Sequence, residues 1–420
     1  MEHDLVIEGR VVLPRGAEEA QVGVDEGKIQ EIKKQGLKGA RVVRAGRGLV
    51  FPGFIDCHVH LREPGWEYKE DFASGTAAAL HGGVTTVVDM PNNPRPATSR
   101  AVLEEKRRLA AAKGVADVRF HGGVLNGGYE ALMSIRDLVV GYKAYLAEST
   151  GGLTFPKEGL ADAMKAVAGT GHPLSLHCED QAVIDSRTRS LAGVRRPDIH
   201  CDLRPPEAEA SSVRAAISAL DSAPKARANV CHASISGTVA MVSEARARGL
   251  QVACEATLHH LFFSRKAMVT NPLLKTNPPL RSEEDRASLV EGLRTERVNF
   301  LVTDHAPHTR EEKGTDGPSG VPGLDDYGHL VTWLLKSQGF EPPAVARVCS
   351  SNSAGFFGLK DRGEIAVGKK ADFAMIDLSA PERTSGEKLR TKCGWSPYEG
   401  VEFPGRVRMT VLAGEVRFED

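Results

Sequence analysis

Several features that would place the chain in a special class are scarce or missing. The 420 residues contain 7 cysteines, an odd number without a C-x-x-C pair, so neither a disulfide framework nor a cysteine-type zinc knuckle is expected. No apolar run approaches the roughly 20 residues of a membrane-spanning helix. Lys and Arg number 54 against 55 Asp and Glu. This balance lacks the basic excess that nucleic acid or an anionic membrane would attract.

The remaining composition is typical of a soluble globular protein. Hydrophobic residues make up 41% and charged residues 26% of the chain. The start Met1–Asp4 lacks the cationic region of a signal peptide, so we expect a cytoplasmic location and reduced thiols. The length fits two or three domains of about 150 residues, or one large α/β barrel with an additional part.

From Gly53 onward, strand-like apolar runs alternate with helix-like segments, which is typical of a parallel sheet with crossover helices. Eight strands are predicted, at Phe54–His60, Val84–Met90, Val118–Leu125, Val139–Leu146, Pro173–Cys178, Ala228–His232, Gln251–Ala256 and Val298–His305. The predicted helices between or after them include Glu70–His81, Ser99–Lys113, Lys157–Ala168, Pro206–Leu220, Ser236–Arg248, Glu283–Thr295 and Tyr327–Ser337. Eight such units predict an α/β protein of the (β/α)8 barrel type, with catalytic groups at the carboxyl ends of the strands.

Both ends of the chain have short alternating strands instead. They are predicted at Leu5–Ile7, Arg10–Leu13, Gln21–Val24, from Lys28, and at Gly363–Val367, Asp372–Asp377, Arg406–Leu412 and Glu415–Phe418. Neither piece is long enough to bury a good core alone. We therefore expect residues 1–52 and 360–420 to form one small β-domain beside a catalytic barrel of residues 53–359.

Potential metal ligands stand at the ends of four predicted strands. His58 and His60 share one face of the first strand, because side chains on a strand repeat every two residues. His177, His232 and Asp304 each end another strand, and singly each could be an ordinary polar residue. Together at the mouth of a barrel they form a nitrogen and oxygen site that suits Zn²⁺, with Mn²⁺ or Co²⁺ as substitutes. We expect two ions, about 3.5–4 Å apart, as in two-metal hydrolases.

Lys143, on the fourth strand, lies where a group bridging the two ions should come from. A free ammonium, with a pKa of about 10.4, would repel the ions. Addition of CO₂ would convert it to a carbamate, an anion with one oxygen for each ion. The alternative is an unmodified lysine at a strand end, beside a single metal ion.

The surrounding motifs resemble those of the dihydroorotase family in the amidohydrolase superfamily. In chain order they are Asp56–Gly65 (DCHVHLREPG), Met90–Pro94 (MPNNP), Leu176–Asp180 (LHCED), Cys231–Ser234 (CHAS), Glu255–Leu261 (EATLHHL), Lys275–Arg281 (KTNPPLR) and Thr303–His308 (TDHAPH). The resemblance runs from about Leu5 to Phe418 and implies the barrel, the small β-domain and a ligand set of His58, His60, Lys143, His177, His232 and Asp304.

The bridging group differs between subgroups of this family, being an aspartate in one and a carboxylated lysine in others. Residues Ser149–Thr154 lack the Asp-Asp-Gly of the aspartate subgroup. The resemblance therefore favours N6-carboxylated Lys143 as the bridge between two Zn²⁺ ions.

The resemblance also implies substrate contacts for Arg62, Asn92, Asn277 and His308. Arg62 offers a planar fork for a carboxylate. The alternatives are a surface salt bridge for Arg62, a turn-capping role for Asn92 and a scaffolding role for Asn277.

The glycine-rich segment Thr309–Gly328 resembles the active-site loop of the family. On that basis Ser319 and Gly320 are predicted to contact the substrate. A plain flexible linker is the alternative.

Dihydroorotases interconvert N-carbamoyl-L-aspartate and L-dihydroorotate in pyrimidine synthesis. The resemblance implies that a metal-activated hydroxide attacks the ring amide, while Asp304 takes its proton and passes it to the leaving nitrogen.

Two other functions stay open at this point. An allantoinase or hydantoinase would share the metals and the fold, but relatives of that kind lack the combination of Leu61–Gly65 with Met90–Asn92. A non-catalytic scaffold partner of aspartate transcarbamoylase would be marked by lost ligands, whereas every ligand position here is filled. Association of an active enzyme with aspartate transcarbamoylase, or with a second copy of the chain, is left open by the sequence.

Overall fold

The computed structural model describes residues 2–314 and 317–420. The chain begins with four strands, β1 Glu2–Leu13, β2 Gly16–Asp25, β3 Lys28–Lys33 and β4 Lys38–Pro52. Eight barrel strands follow, β5 Phe54–Val59, β6 Val84–Asp89, β7 Asp117–Gly123, β8 Gly141–Tyr145, β9 Leu174–His177, β10 Ala228–Val230, β11 Val252–Thr257 and β12 Phe300–Val302. The last strands are β13 Phe373–Asp377, β14 Glu382–Arg383, β15 Glu402–Phe403, β16 Arg406–Leu412 and β17 Glu415–Glu419.

The helices lie mainly between the barrel strands. They are α1 Phe72–His81, α2 Arg100–Lys113, α3 Glu130–Ile135, α4 Leu160–Thr170, α5 Gln181–Ser190, α6 Ile199–Leu203, α7 Pro206–Asp221, α8 Ser236–Ala247, α9 Leu258–Phe262, α10 Lys266–Thr270, α11 Glu283–Arg294, α12 Arg310–Lys313, α13 Tyr327–Lys336, α14 Pro342–Ala346 and α15 Asn352–Phe356. Local sequence explains several of their starts. Asp71 caps α1 by accepting from Ser74 N at 2.8 Å, and Pro206 occupies the first turn of α7. None of the described helices is long and apolar enough to span a membrane.

Strands β5 to β12 pair in chain order as a parallel eight-stranded sheet that nearly closes on itself. The first and last strands meet where His60 N donates to His305 O at 2.8 Å. Below that contact, the buried Asp56 carboxylate accepts from Thr303 N at 3.1 Å and from its Oγ1 at 2.5 Å. The predicted (β/α)8 architecture is confirmed, with strands that are mostly shorter than predicted.

The two ends of the chain share a second, seven-stranded sheet in the order β17-β16-β13-β4-β1-β2-β3. The junction is an antiparallel pairing in which Phe373 of β13 lies opposite Pro52 of β4. The expectation that both termini build one β layer is confirmed, whereas the exact domain bounds stay a prediction.

Two details of this sheet differ from the sequence prediction. Leu5–Ile7 and Arg10–Leu13 belong to a single strand, β1. Gly363–Val367 is not a strand: Gly363 has φ +93°, and the chain turns back on itself, with Lys370 N donating to Asp361 O. Its apolar alternation arises because Ile365 packs into the core of the terminal sheet.

The main core lies between the barrel strands and the helices around them. A smaller cluster, including Ile55, Cys57, Phe300 and Phe357, packs the end of α15 against β5 and β12. The carboxyl ends of the strands are lined by polar side chains instead, and this end holds the candidate site.

Candidate metal centre and active site

Most of the site residues that the sequence predicts meet in one cleft at the carboxyl ends of the barrel strands. The cleft has a volume of about 420 Å³, including the part open to solvent. It is lined by His58, His60, Arg62, Asn92, Tyr145, Ser149, Thr150, His177, His232, Asn277, Asp304, Ala306, Ser319 and Gly320. Two predicted residues are buried beside it. Lys143 lies 5.0 Å from the ring of Tyr145, and His308 contacts Arg62.

Three ligand candidates converge where β5 and β12 end. Oδ1 of Asp304 lies 3.3 Å from Nε2 of His58 and 3.1 Å from Nε2 of His60. Ligand atoms of His58, His232 and Asp304 also lie within 4.8 Å of one another. Asp304 and His232 have φ of +47° and +38°. Left-handed backbone of this kind costs a non-glycine residue about 1–3 kcal/mol and is concentrated at functional sites.

A second pair of imidazoles faces the same space from β9 and the end of β10. Nδ1 of His177 lies 3.0 Å from Nε2 of His232. The other nitrogen of His177, Nε2, lies 2.9 Å from Oε2 of Glu179, which also accepts from Arg204. Burial raises the pKa of Glu179, but Arg204 and His177 outweigh it and lower the pKa overall, so this carboxylate only accepts. His177 therefore carries its proton on Nε2 and presents a lone pair on Nδ1.

Hydrogen-bond partners also orient the imidazoles on β5. Nδ1 of His58 contacts Glu255, and Nδ1 of His60 lies 2.7 Å from Oδ1 of Asn92. Glu255 accepts in addition from Asn229 Nδ2 at 2.7 Å. With Nδ1 donating to these partners, both histidines direct an Nε2 lone pair at Asp304, and a cation between them would satisfy these facing acceptors.

Burial lowers the pKa of all four histidines, His58, His60, His177 and His232. Burial raises the pKa of Asp304, but His58, His60 and Lys143 outweigh it and the pKa falls below its usual range. Neutral imidazoles and an ionised carboxylate are the protonation states that bind a metal ion. Nδ1 of His232 has no hydrogen-bond partner among the described residues. The donor set fits a divalent cation.

Lys143 is completely buried on β8. Its Nζ donates to Sγ of Cys231 at 2.8 Å, and within residues 2–314 and 317–420 no carboxylate forms an ion pair with it. A thiol is a weak acceptor. Burial of an ammonium without a carboxylate partner is costly. A carbamate on Lys143 would instead be an anion next to the divalent metal ions that the site would bind.

Arg62 is the centre of a positively charged group next to the ligands. Its side chain is buried, Nε donates to Pro307 O at 3.2 Å, and Nη2 lies 3.2 Å from Nε2 of His308. On the other side of that imidazole, Nζ of Lys69 lies 3.1 Å from Nδ1 and 3.1 Å from Oε1 of Glu312. Burial lowers the pKa of Arg62 to about 10, which leaves it charged at neutral pH.

His308 is neutral in this group. Burial, followed by Arg62, Lys69 and Lys313, lowers its pKa to about 2. No carboxylate among the described residues forms an ion pair with Arg62. A buried guanidinium that faces an open cleft without such a partner suits an anionic group of a ligand.

Two predicted substrate residues have protein partners. Asn92 holds His60 through Oδ1 and donates from Nδ2 to Thr150 O at 2.9 Å. Oδ1 of Asn277 lies 2.9 Å from Nε2 of His200 on α6, and Oγ of Ser319 lies 3.4 Å from the same nitrogen. Both asparagines still line the cleft, so their contacts with substrate stay predictions.

Sequence reasoning gave no role to Glu179, Glu255, Lys69 or His200. Glu179 and Glu255 could have been found from the sequence, because an ionisable residue within or directly after an apolar strand must find a buried partner. His200 could not, because its segment contacts Asn277 only through the fold.

The fold and the site together define a barrel hydrolase of the amidohydrolase type. A sequence profile of the amidohydrolase family matches residues 49–417, and the chain belongs to this family. Among its relatives, the dihydroorotase of Pyrococcus furiosus is 34% identical over 99% of this chain and 93% of its own length. The dihydroorotase of Halobacterium salinarum is 36% identical over 93% of each chain. The solved L-hydantoinase (dihydropyrimidinase) of Arthrobacter aurescens superposes with a TM-score of 0.96 at 24% identity, covering 99% of this chain and 96% of that one, a likeness of fold.

Proposed function

We propose that the chain catalyses the reversible hydrolysis of L-dihydroorotate to N-carbamoyl-L-aspartate. The observation that carries this proposal is the buried Arg62, charged and without an ion-pair partner among the described residues, beside converging metal-ligand side chains. The ligand side chains serve cyclic amide hydrolysis in general. The Arg62 guanidinium adds a binding site for a carboxylate. Dihydroorotate carries such a carboxylate, whereas an uncharged cyclic amide lacks it. The dihydroorotase names of the full-length relatives support the same substrate.

The cofactor in this proposal is a pair of Zn²⁺ ions. His58, His60 and Asp304 would hold one ion, His177 and His232 the other, and N6-carboxylated Lys143 would contribute an oxygen to each. Bound divalent ions supply a water whose pKa falls from 15.7 to about 7, and they polarise a carbonyl oxygen.

Asp304 is the proposed proton carrier. Its Oδ1 faces His58 and His60, which leaves the second carboxylate oxygen to take a proton from the attacking water. In hydrolysis that oxygen then donates the proton to the leaving ring nitrogen, and in ring closure it accepts the ureido proton.

The remaining side chains orient the substrate. Arg62, with Asn92 and His308, would bind the α-carboxylate, which fixes the ring amide relative to Asp304 and makes ring closure a positioned, near-unimolecular step. Asn277, Ser319 and Gly320 would contact the rest of the ring from the walls of the cleft.

Arg62→Ala tests the substrate assignment. We expect kcat/KM for dihydroorotate to fall roughly 10- to 100-fold, because a charge-assisted contact with the carboxylate is lost. Hydrolysis of the uncharged dihydrouracil should change little. Steady-state assays of both substrates with metal analysis check this, with Arg294→Ala, which removes backbone contacts far from the cleft, as the control. Equal losses on both substrates, or a wild-type enzyme that prefers dihydrouracil, would favour a hydantoinase.

Association and location complete the proposal. We expect a cytoplasmic enzyme that forms a homo-oligomer or associates with aspartate transcarbamoylase. Size-exclusion chromatography with light scattering, alone and with that enzyme, tests both associations. A monomer that elutes unchanged in the mixture would contradict them.

A further inference from the structure

Lys313 is a completely buried lysine in the segment that follows His308. Its Nζ donates to three backbone carbonyl oxygens, at 3.0 Å to Lys275, 3.0 Å to Pro318 and 2.9 Å to Gly320. An ammonium has three N–H donors, so these contacts use all of them. The three carbonyls belong to two segments of chain that are distant in sequence, at Lys275 and at Pro318 to Gly320.

Both segments border the cleft. Pro318 and Gly320 flank Ser319, and Lys275 precedes Asn277 by two residues. Ser319, Gly320 and Asn277 all line the cleft. Gly320 N also donates to Lys275 O at 2.9 Å, so the contact between the segments is made from the backbone as well as from Lys313.

The backbone at Gly320 is tightly packed and has little room to move. Its φ is +130°, and a Cβ placed there would lie 2.5 Å from Ala306 O. Ala306 follows Asp304 by two residues, and Ala306 N donates to Val321 O at 2.9 Å. A small displacement of residues 317–320 therefore changes the wall of the cleft beside the metal ligands.

The charges around Lys313 do not explain its burial. Burial and the charge of Lys275 lower the pKa of Lys313 to about 7. The neutral His259 and His308 also lie within its electrostatic reach. No carboxylate among the described residues forms an ion pair with it. An apolar side chain would cost less to bury, but only a protonated Lys313 can donate to all three carbonyl oxygens at once.

We propose that Lys313 is a positioning residue for substrate binding, holding residues 317–320 against residues 275–277 so that Ser319, Gly320 and Asn277 form one rigid wall of the cleft. Lys313 acts through backbone carbonyls and does not touch the substrate. This inference rests on the proposed function in one respect, namely that these three residues face dihydroorotate. Since the wall is organised before binding, its loss should weaken binding more than chemistry.

The experiment compares Lys313→Met, Lys313→Arg and Lys369→Met with the wild-type enzyme, each purified with its bound metal. Lys369 is the matched control, because its Nζ also donates to a backbone carbonyl, Lys360 O at 2.6 Å, but in the C-terminal segment. We expect Lys313→Met to raise KM for dihydroorotate about tenfold with kcat changed less than about threefold, the pattern of lost uniform binding. Lys313→Arg should raise KM by less, because a planar guanidinium keeps the charge but cannot direct three protons from one atom.

Hydrogen–deuterium exchange gives a readout that does not depend on turnover. The amides of the five non-proline residues in 317–323 should exchange at least about tenfold faster in Lys313→Met, while peptides from β5 to β12 stay protected and the metal content is unchanged. Lys369→Met should match the wild type in exchange and kinetics. If the Met variant does not fold, Lys313→Arg carries the same two comparisons.

Several results would overturn the inference. They are unchanged exchange at residues 317–323, exchange that rises equally throughout the barrel, or a fall in kcat at constant KM. If the wild-type enzyme fails to turn over dihydroorotate, the proposed function fails, and the exchange data still decide whether Lys313 holds the two segments.

Discussion

Lys143 is the residue on which the charge of the proposed metal pair depends. Four neutral imidazoles and Asp304 supply a single negative charge, and two divalent ions need a further shared anion. Lys143→Ala should bind fewer than two metal ions per chain and be nearly inactive, and short carboxylic acids such as acetate should restore part of the activity. Elemental analysis and assays with and without acetate check this, with the exposed Lys165→Ala as control. An unmodified Lys143 in a crystal structure of the active enzyme with both metal ions bound would disprove the bridge.

Asp304 combines two roles that one substitution can separate. Asp304→Asn keeps an oxygen that can coordinate a metal ion, but an amide does not accept a proton at neutral pH. We expect near-normal metal content and a fall in kcat of roughly 10²–10⁴-fold, the usual contribution of general acid–base catalysis. Asp304→Ala is the comparison and should lose metal as well. Substantial turnover by a fully loaded Asp304→Asn enzyme would assign the proton transfer to another group.

The sequence predicted the ligand candidates that face the cleft better than the residues that hydrogen-bond to them and orient them. His58, His60, His177, His232 and Asp304 stand at strand ends, so strand periodicity and the barrel rule were sufficient to bring them together. The partners of their second nitrogens depend on contacts between distant positions, such as the 197 residues between His58 and Glu255. A pattern read along the chain contains no information on such pairs until the fold brings them together.

At the scale of elements, closure of the barrel depends on the seam between β5 and β12. Asp56 accepts from His58 N at 3.1 Å on one strand and from Thr303 N and Oγ1 on the other. Asp56→Ala should lower the free energy of unfolding by roughly 2–4 kcal/mol, since it leaves two buried N–H groups without acceptors. Urea unfolding of the metal-free protein measures this loss. Thr303→Val, which removes only the hydroxyl contact, should lose less, and an equal loss would show that the hydroxyl alone stabilises the seam.

Elements with mixed patterns were harder to predict than the barrel strands. Strands β5 and β6 are buried along their whole length and were predicted within one residue at each end. Strand β4 was missed, because its first half, from Lys38 to Arg44, is mostly exposed, contains three basic residues and has little apolar alternation. It is a strand because β1 supplies a parallel partner along most of its length, a contact that exists only in the folded sheet.

At the scale of the whole molecule, the terminal sheet and the barrel share backbone contacts. Gly53 N donates to Asp372 O at 2.8 Å, and Thr410 Oγ1 donates to Leu80 O at 2.7 Å, so the C-terminal strands are attached to the barrel by hydrogen bonds. The N-terminal strand β4 is attached through the chain itself, because β5 follows it directly. Because the sheet itself joins the two ends of the chain, its loss removes support from both sides of the barrel at once. We therefore expect a single cooperative unfolding transition rather than two.

Phe373→Ala tests this cooperativity. The side chain is completely buried on β13, between Pro52 of β4 and Val411 of β16, and its truncation should cost about 3–5 kcal/mol. Tryptophan fluorescence reports on the barrel through Trp66 and Trp333. If the molecule is one cooperative unit, the fluorescence transition should shift to a lower urea concentration, and β1 and β4 should lose protection from hydrogen exchange at that same concentration. Val367→Ala, at an exposed position of the C-terminal segment, should leave both transitions unchanged. A fluorescence transition that stays in place while the terminal strands lose protection would instead show that residues 53–359 fold as an independent domain.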